Sequence, residues 1–171
     1  YTLVAVPYSA EGEAKADITK IVARSRGVAE TMSKGIDFLM KKNKIDVLRG
    51  HGSIESKGVV AVENEEGRTL YETDHIILAT GARPRQMPFI PVDGEKIITS
   101  REALVVKELP ESIVVIGSGA IGSEFAFLFA QLGVKVTIVE YLPNLMPLED
   151  EEVSKTMERA FRKMRATVYT G

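Results

Sequence analysis

The sequence has no cysteine among its 171 residues, which excludes a disulfide framework, a thiolate metal site and a thiol nucleophile within it. It has no large excess of charge of either sign. With a formal net charge of -2, the chain offers no electrostatic footprint for nucleic acid or an anionic membrane. Long apolar runs are missing too: none approaches the roughly 18 uncharged residues of a membrane span. Nor does the start of the chain show the basic, apolar and small-residue order of a signal peptide. These absences predict a soluble, cytoplasmic protein with no nucleic-acid partner and no membrane partner.

What is present is an ordinary globular composition, 44% hydrophobic and 27% charged, sufficient to bury a core in one or two small domains. The chain opens at Tyr1 and stops at Gly171 just after "ATVYTG", which reads as a strand beginning to enter a sheet. The expectation is an internal fragment of a longer protein.

Along the chain, "YTLVAVPYSAEGEAKAD" offers a short apolar run and a loop broken by Pro7 and Gly12, with no assignable role. From Ile18 the residues Ile21, Val22, Val28, Met32, Ile36, Leu39 and Met40 recur at helical spacing, with Asp17 placed to cap, and predict an amphipathic helix to about Lys42. Gly27 and Gly35 inside it each cost roughly 1 kcal/mol against alanine, so either close packing is accommodated or the helix bends. The runs "IDVLRGHGSI", "GVVAVEN" and "HIILATG" predict strands, separated by "ESKG" and "ENEEGRTLYETD", which carry turn residues. The proline-rich "GARPRQMPFIPVDG" reads as a connection between domains, with the boundary near Pro84 to Pro91.

After Ser100, "REALVVKELP" predicts a short helical piece ended by Pro110. There follow an apolar run "IVVI", a glycine turn, a helical pattern of Ile121, Phe125, Leu128, Phe129 and Leu132 ending at Gly133, and a second run "KVTIV". That is one strand–helix–strand unit. Asp150 is placed to cap a further helix with Val153, Met157, Ala160, Phe161 and Met164 on its buried face, before "ATVYT" adds a second parallel step.

The glycine turn carries the chemistry. A pyrophosphate is favoured at a helix N-terminus, where unpaired N–H groups and the helix dipole meet negative charge. In "GSGAIG", Gly117 would permit the tight turn out of the strand, Gly119 the approach of backbone to phosphate, and Gly122 close packing of helix on strand. The spacing alone equally describes a tight turn with no ligand. Its setting between an apolar strand and an amphipathic helix, with Glu140 at the end of the next strand, favours a dinucleotide. A carboxylate there can accept from ribose hydroxyls and repels a 2′-phosphate, and no lysine or arginine occupies the following "EYLPNLMP", so NAD is expected rather than NADP. The competing reading of Glu140 is a solvated glutamate at a strand end. Glu124 either approaches the nicotinamide end of the ligand or merely suits the helix N-terminus. His51 and His75 fall in no base or metal spacing and read as structural or surface residues.

Together, "IILATGARP", "ITSREAL" and "LPESIVVIGSGAIGSEFAFLFAQLGVKVTIVEYLPNLMP" resemble the flavin-dependent pyridine nucleotide–disulfide oxidoreductases over about Ile18 to Gly171. Within that family the likeness is to the branch that reoxidises a dihydrolipoyl group. The resemblance implies an α/β fold: parts of two Rossmann-like domains, with a small antiparallel β excursion in the first. It implies a partial FAD-binding domain over 1–83, a connection over 84–98, and the N-terminal part of an inserted NAD-binding domain over 99–171. By position, Gly117, Ser118, Gly119, Ala120, Ile121, Gly122, Ser123, Glu124 and Glu140 would hold NAD. Likewise Gly52, Thr80, Gly81 and Ala82 would contact FAD, although Gly52 and Gly81 by themselves read as turn glycines.

In the family NAD and a dithiol exchange electrons through the flavin. The implied partners are a lipoyl domain of a 2-oxo-acid dehydrogenase or glycine cleavage complex and a second subunit, as a homodimer. This sequence lacks the family's redox cysteine pair, its first glycine fingerprint and its histidine base, so no catalytic residue is expected within it and no metal site. The alternatives are a dinucleotide-binding module that catalyses nothing, or a related flavoprotein such as a mercuric reductase or an NADH oxidase.

Overall fold

The computed structural model describes residues 16–171; the opening stretch with Pro7 and Gly12 lies outside them. The described residues fall into two compact units, one formed by Arg26–Arg85 and one containing Gln86–Gly171. The fold is mixed α/β, with one antiparallel and one parallel three-stranded sheet.

Helix α1 spans Ile18–Lys42. It begins where Asp17 Oδ1 accepts from the N–H groups of Thr19 at 3.0 Å and Lys20 at 3.2 Å, satisfying donors that have no partner inside the helix. It ends with Lys41 and Lys42, whose charge suits the helix C-terminus. None of its residues is buried, and Met32 and Ile36 on the apolar stripe are 66% and 54% exposed. The periodicity therefore locates the helix without locating a cover for its stripe. A Cβ at Gly27 or Gly35 would meet no atom within 4 Å, so close packing does not account for either glycine.

Strands β1 (His51–Ser56), β2 (Val59–Asn64) and β3 (Gly67–Glu72) form the antiparallel sheet in that order. Central β2 carries the buried Ala61. Three expectations are corrected here. "GRTLYE" is a strand and not part of a connection: Asn64 pairs with Gly67 across a two-residue loop, and Asn64 Oδ1 accepts from the Glu66 N–H at 3.0 Å. A tight loop leading into Thr69, Leu70 and Tyr71, all good strand formers, is a hairpin signal. Conversely, "HIILATG" is not a strand, because no strand among the described residues pairs with it, and Ile77 is 90% exposed. The segment from Ile45 is likewise irregular until β1 begins at His51.

In the other unit, helix α2 (Ser100–Ala103) is shorter than expected and stops well before Pro110. It opens with a capping box: the Thr99 N–H donates to Glu102 Oε2 at 2.7 Å and the Arg101 N–H to Thr99 Oγ1 at 3.2 Å. Then follow β4 (Ser112–Ile116), α3 (Ala120–Gln131), β5 (Lys135–Glu140), α4 (Glu151–Lys163) and β6 (Thr167–Thr170). The sheet order is β4-β5-β6, all parallel, as a strand–helix–strand–helix–strand chain requires.

The core of this unit joins Ala126 and Phe129 of α3, Val134, Val136 and Ile138 around β5, Leu145 and Phe161. The rings of Phe125 and Phe129 stack with centroids 6.4 Å apart. The buried face of α3 runs through Ser123, Ala126 and Phe129, whereas Ile121 and Leu128 are exposed. "FAFLFA" is apolar nearly all round, so periodicity cannot select which stripe meets the sheet. On α4, Phe161 is fully buried as expected, but Ser154 takes the inward place expected of Val153, which is 43% exposed. Asp150 stands at the N-cap of α4 with no side-chain hydrogen bond to it. No helix among the described residues is long and apolar enough to cross a membrane.

This packing predicts that Phe129→Ala lowers the unfolding free energy of its unit by about 3–5 kcal/mol. Ile121→Ala, at a 62% exposed site, should change it by less than about 0.5 kcal/mol. Denaturant melts of the two variants check the assignment, and similar losses for both would refute it.

Candidate functional site

Between the end of β4 at Ile116 and the start of α3 at Ala120, three residues reverse the chain. Gly117 has φ +94, in the left-handed region that side chains avoid, and its N–H donates to the Val139 carbonyl at 2.8 Å. The turn is thus fastened to β5. Gly122 meets a different demand: a Cβ there would lie 2.1 Å from the Gly117 carbonyl oxygen, so α3 seats on the turn only without a side chain.

Gly119 is the N-cap of α3, extended at φ -63 and ψ -177, with no side-chain cap. A Cβ at Gly119 would meet nothing within 4 Å. Its backbone faces open space at the head of a 12-residue helix, where the first N–H groups have no intrahelical partner and the dipole favours an anion. Ala120 and Ile121 are exposed in that first turn, and Glu124 is exposed just beyond it.

Ser118 and Glu140 are where the site is tied together. The alternation of β5 turns Val136, Ile138 and Glu140 to one buried face, so the last residue of the strand brings its carboxylate under the glycine turn. Glu140 Oε2 accepts from the Ser118 N–H and the Ser118 hydroxyl, each at 2.8 Å, and Oε1 accepts from the Leu142 N–H at 2.9 Å. Glu140 is 9% exposed, so it is not a solvated strand-end glutamate. Burial pushes its carboxyl pKa up, but the N–H groups of Leu142 and Ser118, the Ser118 hydroxyl and the Tyr141 N–H outweigh this and hold it below the ordinary value of 4.5.

Ser118 is fully buried. Its hydroxyl and carbonyl oxygens accept from the Met146 N–H at 3.1 Å and 3.2 Å, and its carbonyl also accepts from the Ser123 hydroxyl at 2.9 Å. The Ser154 hydroxyl donates to the Met146 carbonyl at 3.3 Å, and the fully buried Leu145 anchors the same loop. Glycine turn, strand end, following loop and start of α4 form one network. Sequence reasoning assigned no such role to Met146 or Ser154. The available signal was three serines, Ser118, Ser123 and Ser154, in segments otherwise patterned for burial.

The structure therefore brings Gly117–Glu124 and Glu140 together in one unit. Gly52, Thr80, Gly81 and Ala82 belong to the other: Gly52 lies within β1, and the remaining three occupy the irregular stretch after β3. All four are exposed; Gly81 has φ +77, and a Cβ at Gly52 or Gly81 would meet nothing within 4 Å. Among the described residues no group of His, Asp and Glu could hold a metal ion.

The chain matches the family described as "Pyridine nucleotide-disulphide oxidoreductase" over residues 2–171. It is 47% identical over 156 residues to a dihydrolipoyl dehydrogenase of Chlorobaculum parvum, covering 91% of this chain and 33% of that protein. A Bacillus subtilis dihydrolipoyl dehydrogenase is 38% identical, with 93% and 35% covered. Among solved structures, LpdA from Mycobacterium tuberculosis superposes with a TM-score of 0.82 at 29% identity, over 93% of this chain and 36% of that one. The HOCl-induced flavoprotein disulfide reductase RclA from Escherichia coli gives 0.76 at 27%, over 91% and 35%. The chain spans about a third of the length of the relatives it matches.

Two outcomes follow from the geometry. Gly122→Ala should destabilise the unit by about 1–3 kcal/mol through overpacking, while Gly119→Ala should leave stability nearly unchanged; thermal melts of both check this, and a larger loss at Gly119 would refute it. Glu140→Gln sets an NH₂ group against a backbone N–H, because Oε1 and Oε2 both accept from one, and should cost about 1–3 kcal/mol at neutral pH. Since folding depresses the Glu140 pKa, the stabilisation is complete above about pH 4.5 and is lost as pH falls through the lower folded value. Denaturation midpoints measured against pH should show the gap between the two proteins closing in acid, and a constant gap contradicts this.

Proposed function

The chain belongs to the pyridine nucleotide-disulphide oxidoreductase family, and from that premise we propose that it is the nucleotide-binding part of a dihydrolipoyl dehydrogenase. That enzyme oxidises a dihydrolipoyl group with NAD through FAD and a redox disulfide. The observation that carries the reading is the open backbone at Gly119 heading α3, with the buried Glu140 carboxylate beneath the same turn.

These residues suit a dinucleotide. The first-turn N–H groups of Ala120, Ile121 and Gly122 would bind its pyrophosphate, with Gly117 and Gly122 shaping the turn and Ser118 and Ser123 bracing it. Glu140 would orient the adenosine ribose and exclude a 2′-phosphate by charge, and Glu124 is left to approach the nicotinamide end. Gly52, Thr80, Gly81 and Ala82 leave backbone accessible in the other unit and are the proposed FAD contacts. The domains proposed are 1–83 for FAD, 84–98 as connection and 99–171 for NAD. When bound, the two cofactors supply the electron-transfer chemistry, and the protein supplies position and electrostatics.

With no cysteine in its 171 residues, this chain's share of the reaction is binding, and the dithiol exchange belongs to residues outside it. A cytoplasmic homodimer serving a lipoyl domain of a 2-oxo-acid dehydrogenase or glycine cleavage complex completes the proposal.

The protein expressed from its full reading frame should form NADH from NAD and dihydrolipoamide; inactivity with that dithiol while another disulfide substrate turns over would move the protein to a related flavoprotein. In the same protein Glu140→Ala should weaken NADH more than NADPH, and equal losses in titrations of both would remove Glu140 from the ribose site.

A further inference from the structure

A carboxylate at a strand end discriminates against a 2′-phosphate only while it stays in place and charged. An exposed glutamate has several rotamers of similar energy and can turn away from an incoming anion. Glu140 has little such freedom, because three donors hold it at 2.8–2.9 Å and it is 9% exposed. Among the described residues it has no cationic partner, so these N–H and O–H groups are what offsets its burial.

Two of the donors are backbone N–H groups that any residue would provide. The third is the Ser118 hydroxyl, the one donor that side-chain identity controls. That hydroxyl is itself oriented: its oxygen accepts from the Met146 N–H at 3.1 Å, leaving its proton for Glu140 Oε2. Ser118 is fully buried at the centre of the turn and donates to Glu140.

We propose that Ser118 is a specificity-determining positioning residue, whose hydroxyl pins the Glu140 carboxylate beneath the glycine turn and so sets the preference for NAD over NADP. The inference rests on reading this turn as a dinucleotide site. Without Oγ, Glu140 Oε2 keeps one donor, and the Met146 N–H keeps only the Ser118 carbonyl at 3.2 Å. The carboxylate and the loop beside it loosen together, and a 2′-phosphate meets a group able to move aside.

The test is equilibrium titration of NAD and of NADP into the oxidised protein expressed from its full reading frame, as wild type, Ser118→Ala, Glu140→Ala and the double variant. Ser118→Ala should lower the ratio of NADP to NAD dissociation constants about tenfold, as expected for one lost hydrogen bond to a charged group. Added to Glu140→Ala, it should change that ratio less than about twofold, because Ser118 acts through the carboxylate. A fall of less than about threefold in the first comparison, or the same fall in both backgrounds, overturns the proposal. A wild type that binds neither nucleotide overturns the dinucleotide reading beneath it, whereas an NAD preference that survives Ser118→Ala overturns the role of Ser118 alone. Should Ser118→Ala lose its thermal transition, Ser118→Cys, near in volume and a weak donor, carries the same expectation.

Discussion

The Glu140 carboxylate, accepting from Ser118 twice and from Leu142 once, holds together the glycine turn and the strand end of the parallel unit. A buried anion without a cation is costly unless its lone pairs are filled, and here the donors come from two separate segments. The turn between β4 and α3 supplies two, and Leu142, two residues beyond the end of β5, supplies the third. Displacing either segment would strand the charge, so the carboxylate fixes the turn relative to the strand end more firmly than apolar packing could, since packing lacks direction.

The rest of the site inherits its geometry from that tie. With the turn fixed on β5, through Glu140 and through the Gly117 N–H bonded to Val139, α3 is capped at Gly119 and starts at Ala120. It can then approach the turn only because Gly122 has no side chain to strike the Gly117 carbonyl. The open space left at Gly119 lies at the carboxyl end of the parallel strands, where sheets of this kind bind ligands. Ser118, Met146 and Ser154 extend the same network into the loop before α4, so that loop is braced by hydrogen bonds that start from the turn.

The other unit is organised by backbone pairing. Its three antiparallel strands are closed by short turns, with Gly58 at φ +75 and Gly67 at φ +124 taking conformations that other residues resist. Most side chains on its outer strands, and on the part of α1 that belongs to it, are exposed. Strand existence there depends on having a neighbour: Gly67–Glu72 pairs with β2 and is a strand, while the equally β-prone Ile76–Leu78 has no partner strand among the described residues and is irregular.

Several features were decided by local sequence. The helix from Ile18 followed from its periodicity and Asp17, and the strand–helix–strand order of the parallel unit followed from "IVVI", the glycine turn and "KVTIV". The separate tasks of Gly117 in the turn and Gly122 in helix packing were legible too, because each is a local steric requirement. Only the tertiary structure decided which stripe of α3 is buried, since that helix is apolar on most sides. It also decided that Ser154 faces inward where Val153 was expected, and that "HIILATG" has no partner strand among the described residues. Above all, it decided that Glu140 is a clamped, buried anion and not a solvated strand end. Position 140 could be read as acidic from the sequence, but its charge state, its partners and its lack of freedom come from segments 22 residues apart meeting in space.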